Sequence, residues 1–323
     1  MQSYLDKKDS RILHELDLDA QLPLNRLAKK VGVSSEVAAY RIKQLEKKGT
    51  LKGYYGIINV YNLDFQLFRI YLRLHRMPSG IKQEFLEYLN TVSQVGQISL
   101  TGGDYDLIIG IVEKTNRKFQ SILDDIMNRY GAYIIMKDIS IITELRQYSR
   151  KFILPSKDEN VPEWIFSSDE KKPDVDSVDL KILSFLSDHG RSMSTDIERG
   201  IGVSRKVISY RLKRLRQEHI FLGSRMVLKR GAFGESFFRI LIKLQTTNEI
   251  KIQRLLYYFK THTAVVHWLK CLGSWDWEIE VAEENIEKCH SFVSELKDTF
   301  EIVRETTVIP LFNDLKYRFS ITE

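Results

Sequence analysis

The chain has 323 residues, of which 43% are hydrophobic, and its 49 Lys and Arg against 43 Asp and Glu leave a net charge of +6. That is apolar material for several packed cores, with a basic excess that permits a polyanionic partner without demanding one. Two cysteines exclude a disulfide framework and fit a reducing cytoplasm; the opening MQSYLDKKDS lacks the apolar core of a secretory leader, and runs such as Leu107 to Val112 are far too short to span a bilayer, so no membrane partner is expected.

From Asp6 to Leu18, Ile12, Leu13 and Leu16 fall at helical spacing. A second helix starts near Pro23, a residue suited to a first turn, and carries Leu24, Leu27, Ala28 and Val31 on one side until Gly32 breaks it. Ser34 is a good N-cap for a third helix, and Gly49 suits its exit. Helix, short glycine-containing turn and serine-capped helix make the helix-turn-helix pattern. Residues 54–63 (YYGIINVYNL) then read as an extended hinge strand, and 69–74 alternate as a strand. An amphipathic helix follows over 81–92. Strands at 97–100 and 105–112 flank a turn at Thr101 to Asp104, a second helix covers 116–131, and a last strand covers 138–145. The order βαββαβ is that of a ferredoxin-like sandwich.

The stretch 155–174 (PSKDENVPEWIFSSDEKKPD) has three prolines and mixed charge and reads as a linker in which Trp164, Ile165 and Phe166 dock on something. Beyond it the series repeats. A shift of 170 residues, without a gap, matches 14 of the 48 positions from 6 to 53, including Asp6 with Asp176, Asp9 with Asp179 and the Gly-Val-Ser of 32–34 with that of 202–204. The same register brings FRIYLRL (68–74) onto FRILIKL (238–244) and GDYD (103–106) onto GSWD (273–276). The expected fold class is therefore α+β in two tandem units. Helix-turn-helix domains fall at 1–53 and 175–223, each followed by a hinge strand and a ferredoxin-like domain, at 54–150 and 224–323, with 151–174 between the units.

LDKKDSRILHEL, LAKKVGVSSEVAAYRIKQLEKKG, a hinge strand and a βαββαβ half containing TGGDYDLII, in that order, resemble the Lrp/AsnC (feast/famine) family of prokaryotic transcription regulators. The resemblance covers each unit almost end to end. It implies a winged-type helix-turn-helix domain that binds double-stranded DNA, and a RAM or ACT-like ferredoxin domain that pairs with its own kind and often binds an amino acid. Ordinary members carry one unit; this chain carries two.

In the third helix Val37, Ala38, Ile42 and Leu45 are expected to face the core, and in its repeat Val207, Ile208, Leu212 and Leu215. The residues left for DNA are Ser34, Ser35, Glu36, Ala39, Tyr40, Arg41 and Lys43 in the first unit, and Ser204, Arg205, Lys206, Ser209, Tyr210, Arg211, Lys213 and Arg214 in the second. Arg and Lys can read guanine edges, and Ser or Tyr can hold phosphates. Arg41 and Arg211 have an alternative role, pairing with Asp9 and Asp179 of their own first helices. The stretch 204–218 is net +5 against +2 for 34–48, which makes the second helix the expected stronger anchor.

The resemblance also implies an effector site at the turn before the third strand of the ferredoxin-like domain: Gly103, Asp104, Tyr105 and Asp106, and Gly273, Ser274, Trp275 and Asp276. Exposed amides at a Gly turn can hold a carboxylate, and Asp an ammonium; the alternative is a plain hairpin turn with a packing aromatic. His262, His267, Cys271, Cys289 and His290 crowd the second unit without counterparts in the first, and a structural role is expected rather than a metal. No catalytic residue and no cofactor is assigned. An enzyme alternative uses the same architecture: siroheme decarboxylases resemble Lrp/AsnC proteins and are often built from two related halves. Of the Arg-Arg pair and His-Asn-Tyr run such enzymes tend to show, only His267 has a match here. A non-specific architectural DNA-coating protein is the other alternative.

One pattern bears on how the units meet. Arg69, Tyr71 and Arg73 alternate away from the helices, as do Arg239, Leu241 and Lys243, and the third strand of the second unit adds Asp276, Glu278 and Glu280 to that face. The first unit offers only Asp106, Ile108 and Gly110 there. Face-to-face packing of unlike units would therefore bring spare arginines onto a row of acids.

Overall fold

The computed structural model describes residues 5–154, 162–168, 173–245, 248–319 and 321. The first unit opens with α1 (Lys7–Leu18), α2 (Leu24–Val31) and α3 (Ser35–Lys47). Asp6 caps α1 by accepting from the Lys8 and Asp9 amides, and Ser34 caps α3 by accepting from Val37 N. Pro23 stands at the cap of α2 rather than inside its first turn. Gly32 takes the left-handed conformation (φ 74°) that ends α2, which only glycine adopts without a steric penalty.

β1 (Leu51–Ile58) comes next. The second half of the expected hinge strand is instead a 3-10 turn, Val60–Leu63, whose side chains are all buried; a continuous apolar run does not distinguish strand from buried turn. The ferredoxin-like domain is β2 (Gln66–Leu74), α4 (Ser79–Thr91), β3 (Val95–Thr101), β4 (Leu107–Glu113), α5 (Asn116–Tyr130) and β5 (Ile134–Tyr148). Within the linker, β6 (Glu163–Phe166) adds to the end of β5 and buries Phe166. The second unit repeats the order as α6 (Ser177–Asp188), α7 (Ser194–Ile201), α8 (Arg205–Gln217), β7 (Phe221–Leu228), β8 (Ser236–Leu244), α9 (Glu249–Thr261), β9 (Val265–Leu272), β10 (Trp277–Glu283), α10 (Ile286–Thr299) and β11 (Val303–Tyr317).

The two units interlock at both ends. The hinge strands β1 and β7 pair antiparallel as a ribbon of their own, and each helical head crosses over: α6 packs on β1 and α1 on β7. Gly190 makes this approach possible, since a Cβ there would lie 2.4 Å from the carbonyl carbon of Tyr55. Below the ribbon each ferredoxin-like sheet has its ordinary order, β5-β2-β4-β3 and β11-β8-β10-β9. The edges are then exchanged, β3 onto β11 and β5 onto β9, closing eight strands into a ring that leaves no open edge among them.

Alternation along the strands sorts the side chains into three layers. Ile70 and Leu72 pack under α4 and α5 with Phe85, Leu89 and Phe119, and Ile240 and Ile242 pack under α9 and α10 with Phe259, Trp268 and Phe292. Between the sheets lie Tyr71, Ile108, Leu145, Leu241, Leu269, Trp275 and Ile309. This middle layer also holds the expected charges. Arg69 of the first unit pairs with Glu278 of the second, which also takes Arg239 at 3.0 Å. Glu280 accepts from Arg239 at 2.6 Å and from Arg230 at 3.0 Å, and Arg230 also reaches Asp314 at 2.7 Å. Burial by itself would lower the pKa of Arg69; the Glu278 carboxylate outweighs that and raises it. The rest of the expected row behaves differently. Asp276 accepts from Leu244 N at 2.7 Å, as Asp106 does from Leu74 N at 2.7 Å, so both clasp backbone instead of pairing with a base. Arg73 and Lys243 lie at the exposed rim, where Lys243 pairs with Glu305 at 2.9 Å.

Candidate nucleic-acid interface

Each head offers its third helix, α3 or α8, to the outside. Ala38, Ile42 and Leu45, and Ile208, Leu212 and Leu215, are buried against the other two helices. Glu36, Ala39, Tyr40 and Lys43 are exposed on α3, with Ser34 just before it and Ser35 half-buried. Arg205, Lys206, Ser209, Tyr210 and Lys213 are exposed on α8, preceded by Ser204, whose hydroxyl makes no capping bond. Val37 and Val207 do not turn inward as their spacing implies: they are 42% and 39% exposed. The inward face of a short helix in a three-helix head is filled by three side chains, and the valines fall on its flank.

Several cations counted toward the interface are held inside the protein. Arg41 bonds Asp6 at 2.7 Å and Asp9 at 2.8 Å. Arg211 bonds Asp176 at 2.7 Å and Asp179 at 3.1 Å, and Arg214 closes on the same buried Asp179. These contacts tie the third helix to the N-terminus of the first, where the carboxylates also cap backbone amides. Arg216 turns to the other head, donating to Gln21 Oε1 at 2.8 Å. Arg205 stays exposed but bridges Glu198 at 3.1 Å. The charge advantage of the second helix is therefore smaller on the surface than in the sequence. Outward-facing lysines are Lys43 and Lys47 on α3, and Lys206 and Lys213 on α8.

The heads are fixed to the sheets by a buried ionic junction. Asp17 at the end of α1, 1% exposed, takes both Arg225 Nη2 contacts at 2.8 Å, Arg150 Nη1 at 2.6 Å and the Arg150 amide at 2.8 Å. Arg225 also donates to Gln147 and to the Tyr148 carbonyl and lies over the Trp164 ring, so first head, second hinge and linker meet around this one guanidinium. Burial would raise the Asp17 pKa, but the guanidinium groups of Arg225 and Arg150 bring it below the usual value. The repeat places Ser187 and Tyr55 at the positions of Asp17 and Arg225, and Tyr55 packs edge-on against Tyr317. The two junctions are thus chemically unlike.

The two Gly-containing turns converge on one pocket of about 330 Å³ at the rim of the ring. Arg73, Asp104, Tyr105, Ser274, Trp275 and Lys243 are among its lining residues. Tyr105 Oη and Ser274 Oγ both donate to Asp138, at 2.9 and 3.0 Å, which joins the turns across the units. Tyr105 and Trp275 pack edge-on against Tyr71 and are buried, while Gly103, Asp104, Gly273 and Ser274 are exposed. Asp106 and Asp276, engaged with backbone, do not line the pocket.

His267 lies deep between the sheets, 3.8 Å from Glu280 and stacked on Tyr317, with burial lowering its pKa. The adjoining cavities measure about 50 and 40 Å³. Cys271 and Cys289 are buried free thiols, and among the described residues no three His, Cys, Asp or Glu converge as a metal site. No helix among them is long and apolar enough to cross a membrane.

Comparison with known proteins agrees with this geometry. Residues 5–46 match the AsnC-type helix-turn-helix domain, and residues 175–220 match a winged helix-turn-helix DNA-binding domain. The leucine-responsive regulatory protein of Escherichia coli (strain K12) is 24% identical over 150 residues, 46% of this chain and 92% of that protein; its Klebsiella pneumoniae counterpart gives the same figures. The crystal structure of the siroheme decarboxylase NirDL superposes with a TM-score of 0.64 over 98% of this chain and 95% of its own, at 11% identity, a likeness of fold alone. The chain is a tandem protein of two helix-turn-helix and two ferredoxin-like domains. The two helix-turn-helix matches and the likeness to leucine-responsive regulatory proteins support an Lrp/AsnC-type DNA-binding regulator, and the two heads fit a duplicated form.

Proposed function

We propose that the chain is a sequence-specific transcription regulator whose two heads read unequal half-sites of one operator. The observation that carries this reading is the pair of outward-facing third helices: they share Tyr40/Tyr210 and Lys43/Lys213 but differ at Ser35/Arg205, Glu36/Lys206 and Ala39/Ser209. Identical heads read palindromes; two different heads joined by a β ribbon need not. Contacts from Ser34, Ser35, Glu36, Ala39, Tyr40 and Lys43, and from Ser204, Arg205, Lys206, Ser209, Tyr210 and Lys213, belong to this proposal. Arg41, Arg211 and Arg214 act in it mainly by holding their helices in place. Selection of bound sequences from random duplex DNA tests it: asymmetric sites are expected, and recovery of only perfect palindromes or of no preferred sequence would refute it.

The rim pocket supports a small amino-acid-like effector. Arg73 supplies a cation for a carboxylate and Asp104 an anion for an ammonium, both from the first unit, with Lys243 and Ser274 of the second unit lining the same pocket, so a zwitterion would find both charges there. A thermal-shift screen of free amino acids, repeated on Arg73→Ala, reads this directly. The siroheme decarboxylase alternative draws on the whole-chain likeness to NirDL. The cavities beside His267, about 50 and 40 Å³, are an order of magnitude below the few hundred Å³ of a typical ligand pocket, which favours the regulator. A visible spectrum of protein incubated with siroheme checks the choice; a protein-bound Soret shift would support the enzyme.

A further inference from the structure

Val37 and Val207 are the third residues of α3 and α8, in the turn that a groove-reading helix sets against base edges. Both are exposed, at 42% and 39%, although the packed face of each head is already filled by Ala38, Ile42 and Leu45 or by Ile208, Leu212 and Leu215. Three residues on, Tyr40 and Tyr210 are 65% and 68% exposed, and Lys43 and Lys213 follow after three more. This Val, Tyr, Lys series is identical in the two heads, while the exposed pairs Glu36/Lys206 and Ala39/Ser209 beside it differ.

We propose that Val37 and Val207 are specificity residues that each seat the 5-methyl group of a thymine at the equivalent step of the two half-sites. The inference rests on the DNA-binding reading above and adds to it what the shared part of the operator contains. The thymine methyl is the apolar group on the major-groove edge. A valine has no polar atom with which to read a base, so covering that methyl is the contact it can make there. Tyr and Lys, one and two turns along, supply hydroxyl and ammonium groups for the flanking phosphates. The divergent neighbours then set the differences: Glu36 can accept from a cytosine amino group, whereas Lys206 can donate to guanine. The half-sites would share one thymine and differ beside it.

Replacing thymines one at a time by deoxyuracil, which lacks only the methyl, tests this on the full chain and a selected duplex. One position in each half-site is expected to weaken binding about fourfold, the effect of losing one buried methyl-sized group. Val207→Ala should abolish that thymine preference in its own half-site and leave the other intact, whereas Val207→Ile should keep it; unchanged melting temperatures show that the exposed site leaves the fold intact. Equal binding of thymine and deoxyuracil duplexes at every position, or a thymine preference that survives Val207→Ala, overturns the proposal while DNA binding stands. Failure of the wild-type chain to bind any duplex at about 50 mM salt, where phosphate contacts are strong, overturns both readings together.

Discussion

Asp17 holds two guanidinium groups in a site with 1% exposure, and a single atom change tests what it does. Asp17→Asn removes the negative charge and leaves Arg225 and Arg150 buried without it. The expected cost is about 3–5 kcal/mol, read by chemical denaturation, because an unpaired buried charge is far worse than none. Asp17→Asn combined with Arg225→Gln should recover part of the loss. His267 gives a second test at this scale. Its folded pKa lies below the ordinary 6.5 because burial penalises the charged ring. Below pH 6.5 the unfolded chain therefore binds more protons than the folded one, and stability should rise with pH up to about 6.5 and then level. His262, lowered in the same direction, contributes to that slope. His267→Gln should flatten the rise between its folded pKa and pH 6.5 in a series of denaturation midpoints; an unchanged slope would show that other groups dominate.

Helices α3 and α8 differ more in sequence charge than in the charge they present. Of the cations in 204–218, Arg211 and Arg214 are bound to Asp179 and Arg216 to Gln21. Lys43→Gln and Lys213→Gln are therefore expected to weaken DNA binding by similar factors and to reduce the salt slope by about 0.9 each. A much larger effect of Lys213→Gln would restore the stronger-anchor expectation drawn from net charge. Arg211→Ala is expected to act differently, lowering the stability of the second head, because its partners Asp176 and Asp179 form the capping box of α6. Melting temperature separates this variant from the lysine variants.

At the scale of the whole molecule, the ring closes only with both units present. β3 needs β11, β5 needs β9, and the buried Arg69 needs Glu278, for which the first unit has Ile108 at the corresponding position. Residues 1–150 and 175–323 expressed apart should each expose two strand edges, and mixing them should give a one-to-one complex by light scattering. Stable homodimers that ignore each other on mixing would refute the complementary-unit account. Glu278→Gln should weaken the mixed complex more than any rim change, since it leaves Arg69 and Arg239 short of their shared carboxylate.

The sequence alone determined the repeat, the helix-turn-helix heads and the βαββαβ order, because caps such as Ser34, stops such as Gly32 and strand alternation act within a few residues of themselves. It also foretold the meeting of Arg69 and Glu278, since period-2 alternation assigns a face without any knowledge of the partner. Contacts far apart in the chain were left to the tertiary structure. It bonds Arg41 to Asp6 and Asp9, sets Asp106 and Asp276 against backbone, joins Asp17 to a strand more than 200 residues away, and turns Val37 and Val207 outward. A short helix shows both flanks of its apolar stripe at the same spacing. Which flank is covered depends on where neighbouring helices end, and that is fixed only when the heads close on each other's hinge strands.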